Sequence, residues 1–321
     1  MSVTPISTPF RLRLAQAVCR SLPPLMSQKV RGYIYPLEKA YRDDFEFTVR
    51  SQTGSIFRNR TSDFHGYPFS VHGYYEWRNW AIALALCSYG DTIIEIGANI
   101  GTETIGFRDI VGNSGRVIAF EPLPGNFQSL KHVLLLNNCK NVSAFPLALG
   151  RKSGRARFVL PDKKGASGIG HLSEGGKAWP AKSIEVDCAT LDSMSQRIGK
   201  AKMIFIDTEG AETEVIDGAM EYIGKNRPYI VLEASPQLLN RAGSSLEELH
   251  LRLKGLGYEA FVISRLGLNG LQQLETTHAA NWLCIPAGLE SSAQRVRRSL
   301  SACGLLPCIA GLNPLGRRRL L

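Results

Sequence analysis

The chain has 321 residues, 44% hydrophobic and 21% charged, so it can bury a sizeable core and has the composition of an ordinary soluble protein. Its seven cysteines are scattered, without a CxxC pair or a cysteine–histidine cluster, which argues against disulfides or a zinc site and favours a reducing compartment. The longest apolar run near Trp80, AIALALC, is too short to span a bilayer, and arginines interrupt the N-terminal stretch, so we expect no signal peptide and a cytoplasmic location.

The net charge of +10 lies at the two ends of the chain. Residues 1–37 hold five basic residues and no acid, and residues 287–321 hold six arginines against one glutamate. A neutral body with basic ends does not fit a nucleic-acid-binding domain, and we predict no nucleic-acid partner. Such ends suit peripheral contact with an anionic membrane, or they only aid solubility. We predict a basic, partly helical extension at 1–72, one domain at 73–286 and a basic tail at 287–321.

In chain order, short apolar runs alternate with helical patterns from residue 91 onward. The predicted strands are TIIEI (92–96), RVIAFE (116–121), VSAFPL (142–147), MIFID (203–207), YIVLEA (229–234), YEAFVI (258–263) and NWLCIP (281–286). Helices are predicted at 100–110, around 127–134, through 215–223, and from Ser244, which has Glu247 three residues later as in a capping box. This alternation predicts an α/β fold with a doubly wound sheet. RARFVL and SIEVDC, around a glycine-rich loop, predict a hairpin insertion after the third strand.

The first strand leads into EIGANIG, residues 95–101. The spacing Gly97-x-Asn99-x-Gly101 departs from the GxGxxG of a dinucleotide-binding loop, although asparagine can adopt the left-handed conformation of the missing glycine. Glu121 ends the second strand, where an acid can accept hydrogen bonds from both hydroxyls of a ribose. A tight turn alone would explain the two glycines equally well.

The order of several motifs is more specific than any one of them. EIGANIG, VIAFEPLPGNFQSLKHVLLLN, ALG, LDSM and FIDTEGAETEVIDGA follow one another between GYYEW and NWLCIP. Over roughly residues 73–286 the chain resembles the FkbM-type family of S-adenosylmethionine-dependent methyltransferases. The resemblance implies a class I methyltransferase (Rossmann-like) fold with seven strands, the last antiparallel, and methylation of oxygen, often on sugars, glycans or other secondary metabolites. Glu103 departs from the small or aromatic residues common at its position.

The resemblance also implies which residues bind S-adenosylmethionine. Gly97 and Gly101 would admit its methionine part and sugar, Glu95 would receive its ammonium, and Glu121 would hold the ribose. Ala148 and Leu149 would line the adenine pocket. The predicted cofactor-binding residues are Glu95, Gly97, Ala98, Asn99, Gly101, Glu121, Pro122, Ala148 and Leu149.

The predicted catalytic residues are acids that follow the fourth strand. Asp207 and Glu209 lie in the family's IDxEGAE motif and could take the proton from an acceptor hydroxyl, whereas acids here could also only favour a helix N-terminus. His171, in the glycine-rich loop, is an alternative base, and Glu233 is a weaker candidate for the acceptor pocket. Asp207, Glu209 and Glu212 could bind a divalent cation, but nothing in the sequence fixes this, and we predict no metal.

Two other functions remain open on the sequence. An NAD(P)-dependent oxidoreductase would use the same class of sheet, but the Tyr35-x-x-x-Lys39 pair precedes the cofactor loop and includes Pro36. A non-catalytic, membrane-associated module would keep the fold without activity. A P-loop is disfavoured because GHLSEGGKA has alanine where Ser or Thr should bind magnesium, and no GxSxG elbow is present. A nucleic-acid methyltransferase is disfavoured because DTEG stands where an Asn/Asp-Pro-Pro-aromatic stretch is usual.

Overall fold

The computed structural model describes residues 8–159, 171–173, 183–271 and 279–317. The N-terminal part consists of helices and one antiparallel hairpin that precede the main sheet. Its elements are α1 (Phe10–Cys19), α2 (Pro24–Ile34), α3 (Leu37–Asp43), β1 (Glu46–Arg50), β2 (Ile56–Arg60), α4 (Gly66–His72) and α5 (Trp77–Leu86). The predicted extension therefore contains a hairpin in addition to its helices.

The middle of the chain enters the main sheet and then leaves it for an insertion. The first elements are β3 (Thr92–Ile96), α6 (Thr104–Val111), β4 (Arg116–Phe120), α7 (Pro124–Leu136) and β5 (Val142–Phe145). The insertion has β6 (Ala148–Leu149), β7 (Gly154–Val159), β8 (His171–Ser173) and β9 (Ser183–Ala189). These four strands form a separate small sheet in the order β6-β9-β7-β8, with β7 antiparallel to β8 and β9.

The chain then returns to the main sheet and ends in helices. The elements are α8 (Ser195–Ile198), β10 (Met203–Ile206), α9 (Glu212–Asp217), α10 (Met220–Asn226), β11 (Tyr229–Ala234), α11 (Pro236–Arg241), α12 (Leu246–Gly255), β12 (Tyr258–Ile263), β13 (Leu268–Gly270), β14 (Ala280–Pro286), α13 (Ser292–Leu305) and α14 (Pro314–Arg317). Among the described residues, no helix has both the length and the apolar character needed to cross a bilayer.

The main sheet has the order β13-β12-β14-β11-β10-β3-β4-β5. Neighbouring strands from β5 to β11 are parallel, whereas β14 pairs antiparallel with both β11 and β12. Strand β12 therefore has the same direction as β3, β4, β5, β10 and β11, which makes six strands with one direction. The last predicted strand, β14, lies between β11 and β12 and is antiparallel to both. All seven predicted strands are confirmed, and β13 adds an eighth at the edge.

Both faces of this sheet are buried. Along β10, Met203 and Phe205 face one core cluster, whereas Ile204 and Ile206 face the other. Side chains alternate across a strand, so a strand covered by helices on both faces needs a continuous apolar run. MIFI meets that requirement, which is why these runs could be recognised as strands from the sequence.

Two local predictions were wrong in detail. The helix expected through 215–223 is interrupted between α9 and α10, where a Cβ on Gly218 would lie 2.0 Å from the carbonyl oxygen of Gly150. The interruption leaves free amides at the start of α10, and the Asp192 carboxylate accepts a 2.7 Å hydrogen bond from the Tyr222 N–H. Helix α12 is capped by Ser245 rather than Ser244, because the Ser245 hydroxyl accepts a hydrogen bond from the Glu248 N–H.

The two basic ends of the chain pack onto the body and reach one another. Helix α13 lies against α5, where the Ser299 hydroxyl donates a 2.7 Å hydrogen bond to the carbonyl of Ala81. Its Leu300 is fully buried. Beyond α13, the Cys308 N–H donates to the carbonyl of Leu22, which lies just before α2. The described part of 287–317 is thus a packed helical segment.

Candidate active site

The carboxyl ends of four neighbouring strands are level at one edge of the main sheet. Ile96 of β3 pairs with Ile206 of β10 and with Phe120 of β4, and Ile206 pairs with Leu232 of β11. The residues that follow these positions are Gly97, Asp207, Glu121 and Glu233. Strand order reverses between β3 and β10, and ligands of doubly wound sheets bind at such a switch point. A cavity opens at this edge, lined by all four residues.

All the residues predicted to bind the cofactor except Gly101 line this cavity. Gly101 does not line it, because the position where its Cβ would be faces α7 and lies 2.8 Å from a methyl carbon of Leu130. A Cβ on Gly97 would lie only 1.9 Å from the carbonyl oxygen of Asp207. Both residues also have φ near +90°. Packing of β3 against β10 and α7 therefore requires these two glycines, a reason that sequence patterns did not reveal.

Glu121 holds the loop after β3 in place. One of its carboxylate oxygens accepts a hydrogen bond from the Asn99 N–H and the other from the Leu123 N–H, both at 2.8 Å. Asn99 has φ of +50°, the left-handed conformation expected from the sequence. Burial raises the pKa of Glu121 to about 7. The Asn126 side chain also hydrogen-bonds this carboxyl, so the protein fixes the position of an acid that lines the cavity.

Glu95 lies at the base of the cavity with no charge partner. Its side chain is 1% exposed, and its Oε2 atom accepts no hydrogen bond from any described residue. Burial raises the pKa of Glu95 to about 8, the neighbouring Thr104 hydroxyl acts in the opposite direction, and the carboxylates of Asp207 and Glu121 add to the rise. A buried acceptor without a donor is costly, so this oxygen fits a cationic donor group of a ligand.

The predicted catalytic acids lie on a turn between β10 and α9 that Glu212 organises. The buried Glu212 carboxylate accepts hydrogen bonds from the Thr208 N–H, the Thr208 hydroxyl and the Gly210 N–H. Glu209 has φ of +57°, a strained conformation for a residue with a side chain. Asp207 and Glu209 therefore line the cavity on a fixed turn, whereas Glu212 serves the turn itself.

The carboxyls on this side repel one another. Burial raises the pKa of Asp207 to about 7, with a further contribution from Glu212. Burial and then Asp207 and Glu212 raise the pKa of Glu209 to about 8, while Arg241 acts in the opposite direction. Burial and the same three acids raise the pKa of Glu233 to about 9. Groups with such values can take up a proton near neutral pH.

Part of the cavity wall comes from the N-terminal part of the chain and was not predicted. Phe64, His65, Tyr75 and Asn79 all line the cavity. The His65 ring stacks on Tyr75 with centroids 4.0 Å apart, and burial lowers the pKa of His65 to about 4, so it is neutral at pH 7. Tyr75 belongs to the GYYEW stretch, but no pattern marked His65, because a lone histidine in an unassigned segment carries no signal.

One further candidate is placed only in part. His171 lies in β8, where its backbone pairs with Val159, and its side chain is outside the described part of the structure. Its role as an alternative base stays a prediction.

Comparison with known proteins assigns the chain to a family. The model of the methyltransferase FkbM domain matches residues 95–260, which include the loop after β3, the turn after β10 and β11. The chain belongs to the FkbM methyltransferase family. The family suggested by the sequence motifs is thus confirmed. No curated protein sequence matches the chain.

Solved structures similar to this FkbM family member include two that are named as methyltransferases and a fibrillarin. Methyltransferase FkbM from Methylobacillus flagellatus is 14% identical, with a TM-score of 0.41, and the match covers 85% of this chain and 58% of that one. A precorrin-6y C5,15-methyltransferase from Geobacter metallireducens is 13% identical, with a TM-score of 0.40 and coverage of 66% and 88%. Aeropyrum pernix fibrillarin, solved with bound S-adenosyl-L-methionine, is 13% identical, with a TM-score of 0.39 and coverage of 75% and 82%. This chain thus spans a little over half of the first of these proteins.

Proposed function

We propose that this protein binds S-adenosylmethionine and transfers its methyl group to a hydroxyl oxygen of a sugar, a glycan or a secondary metabolite. The observation that carries the proposal is the unpartnered Oε2 of Glu95, buried at the base of a cavity beside the loop after β3. The ammonium of the cofactor is a donor of the required charge.

The cofactor half of the cavity lies at the ends of β3 and β4. Glu95 would bind the ammonium and Glu121 the ribose hydroxyls, while Ala148 and Leu149, both buried, offer an apolar wall for the adenine. Phe158 of the insertion lines the same cavity. When bound, S-adenosylmethionine supplies a methyl carbon activated by a positively charged sulfur.

The acceptor half lies at the ends of β10 and β11, on the other side of the switch point. Alignment of the acceptor with the methyl carbon contributes most of the rate in a displacement of this kind. One of the carboxylates of Asp207 and Glu209 would take up the hydroxyl proton while the oxygen–methyl bond forms and the sulfur–methyl bond breaks, which leaves the sulfur as the neutral thioether of S-adenosylhomocysteine. An alcohol must lose a proton as the new bond forms, and these carboxyls line the cavity where that proton could be taken up.

The test combines binding with product identification. Calorimetry on the full chain should detect S-adenosylmethionine binding that Glu95→Gln weakens and Glu221→Gln, on the exposed surface of α10, leaves unchanged. Methyl-labelled cofactor and fractionated cell extract should then give a labelled ether that mass spectrometry can identify. Tight NADH binding without S-adenosylmethionine binding would instead support the oxidoreductase, and cofactor binding without any labelled product would support a non-catalytic module.

We also propose peripheral contact with an anionic membrane through the two basic ends. The end of α13 and the residues after it carry exposed apolar side chains, between 38% and 56% exposed, at Leu305, Leu306, Ile309 and Leu312. The Cys308–Leu22 hydrogen bond brings this segment beside α2, which carries the exposed Met26. Apolar side chains beside basic segments suit an anionic lipid surface.

A further inference from the structure

The acceptor half of the cavity brings three carboxylates together. Asp207 and Glu209 come from the turn after β10, and Glu233 comes from the end of β11, the neighbouring parallel strand. One oxygen from each lies within 4.8 Å of the others. Opposite oxygen ligands of a divalent cation are about 4.0–5.2 Å apart, because Mg²⁺–oxygen and Ca²⁺–oxygen bonds measure about 2.0–2.6 Å. The three oxygens therefore have a spacing that one ion could bridge.

Positive charge is scarce around this cluster. Among the described residues that line the cavity there is no lysine or arginine, and the one histidine, His65, is neutral. Arg241 donates a 2.9 Å hydrogen bond from its Nη2 to the carbonyl oxygen of Glu209, and its charge lowers the pKa of the Glu209 carboxyl without cancelling the rise caused by burial and the neighbouring acids. The Oε2 atom of Glu233 is buried and accepts no hydrogen bond from a described residue. Close carboxylates of this kind repel unless a proton or a cation lies between them.

Two further oxygens on the wall of the same cavity lack donors. Glu103 is 6% exposed, and its Oε1 accepts a hydrogen bond from the Glu76 N–H, whereas its Oε2 has no partner among the described residues. Asn79 is 4% exposed, and its Oδ1 likewise has none. Neither residue belongs to the turn after β10, so they are independent of the carboxylate cluster. A hydrated cation supplies the donors that such buried acceptors require, through its bound waters.

We propose that Asp207, Glu209 and Glu233 bind a hard divalent cation such as Mg²⁺ or Mn²⁺, and that this ion holds the oxygen of the acceptor. An all-oxygen set of ligands selects Mg²⁺, Mn²⁺ or Ca²⁺ over the softer metals. Glu103 and Asn79 would accept hydrogen bonds from waters bound to the ion. The role of the ion at the acceptor rests on the proposed methyl transfer, whereas its binding does not.

The ion would neutralise the negative charge of three carboxylates that have no cation between them in the protein alone. A cation between the three carboxylates removes their mutual repulsion and orients a hydroxyl through its oxygen, as metal ions do when they act as templates for a substrate. Glu212 then holds Asp207 and Glu209 at fixed positions through the turn.

The probe is Mn²⁺, added to full-length protein that has been treated with EDTA and dialysed. Electron paramagnetic resonance of free Mn²⁺ should show one ion bound per chain, without cofactor or acceptor present, and Mg²⁺ should compete for it. Glu233→Gln and Asp207→Asn should each weaken Mn²⁺ binding by more than about tenfold, because each removes one charged ligand. Glu221→Gln should bind as the wild type does.

Circular dichroism and calorimetry with S-adenosylmethionine show whether each variant is folded, so a loss of Mn²⁺ binding can be assigned to the site. No bound Mn²⁺ at concentrations up to about 1 mM, the weak end of the range for carboxylate sites, would overturn the proposal. Binding that both variants retain would overturn it as well, because the ion would lie elsewhere. If Mn²⁺ binds here but EDTA leaves turnover unchanged, the role at the acceptor is wrong. If Mn²⁺ binds and S-adenosylmethionine does not, the proposed function fails instead.

Discussion

The two halves of the cavity are built differently. At the ends of β3 and β4, the backbone fixes the key groups: Glu121 accepts two amide hydrogen bonds, and the carbonyl of Asp207 lies against the Cα of Gly97. At the ends of β10 and β11, Glu233 and Glu209 meet Asp207 without a cation between them, and burial together with repulsion raises their pKa values.

This difference shows which half of the cavity has its key polar groups fixed by the protein alone. Fixed groups on the cofactor side have their geometry before any ligand arrives, and preorganisation of this kind lowers the cost of binding. Burial and the neighbouring acids raise the pKa values of the carboxyls on the acceptor side, so a bound proton or a nearby cation is favourable there. Substitutions should therefore affect the first half through geometry and the second through charge, and this can be tested.

The largest effect is expected from removing a carboxylate on the acceptor side. Asp207→Asn or Glu209→Gln should lower turnover about 10²–10⁴-fold, because each keeps the shape but removes basicity and charge. S-adenosylmethionine affinity and the melting temperature should barely move, whereas a helix-capping role would lower the melting temperature and spare turnover. Steady-state kinetics on the true acceptor decide between the two, with Glu221→Gln as control. If both variants keep near wild-type turnover, His171 is the next base to test.

A purely geometric change on the cofactor side should act on folding. Gly97→Ala places a Cβ against the carbonyl of Asp207 at a φ of +89°, so we expect it to lower the free energy of unfolding by about 2–5 kcal/mol. Gly125→Ala is the matched control, because a Cβ there meets nothing within 4 Å. Urea denaturation of both variants measures the difference. Equal stability of the two would show that the loop after β3 adapts and is not fixed.

Glu121→Ala should affect cofactor binding. Loss of a charged acceptor for the ribose hydroxyls should weaken S-adenosylmethionine binding by roughly 1.5–3 kcal/mol, the usual contribution of hydrogen bonds to a charged group. Calorimetry on the folded variant measures it. Because Glu121 also accepts from the Asn99 and Leu123 amides, part of the loss will come from the loop, and a lower melting temperature should accompany it. An unchanged dissociation constant would contradict the assignment.

The buried carboxyls should make stability depend on pH when no ligand is bound. Burial raises the pKa of Glu95 to about 8, well above its unfolded value near 4.5, so the folded state holds a proton that the unfolded state releases. That contribution is fully present below pH 4.5 and is lost as the pH rises through 8. The melting temperature should thus fall between about pH 4.5 and pH 8, and Glu95→Gln should make the fall smaller. A fall of the same size in Glu95→Gln would show that this carboxyl is not its source.

The smallest effect is expected outside the cavity, at the basic ends. Binding to liposomes should rise with their anionic lipid content and fade at high salt, because surface attraction is screened. Replacing Leu305 and Ile309 with serine should reduce binding without changing methyl transfer. Sedimentation with vesicles measures it. Binding that does not change with salt concentration, or no binding by the intact chain, would contradict this proposal.

Local patterns in the sequence were enough to find the sheet. Each strand is buried on both faces of the sheet, and burial on both faces requires consecutive apolar residues such as MIFI, which can be recognised in a sequence. The family motifs likewise placed Glu95, Glu121 and Asp207 at strand ends, because the loops that carry them follow the strands directly.

Contacts between distant segments were decided only by the tertiary structure. The sequence could not show that His65 and Tyr75 reach a cavity built largely by residues 95–233, or that Glu233 comes within 4.8 Å of Asp207 and Glu209. Nor could it show that Gly97 is needed because β10 passes beside it. Strand identity depends on neighbours along the chain, which a sequence displays. Charge balance and close approach depend on neighbours in space, which only folding brings together.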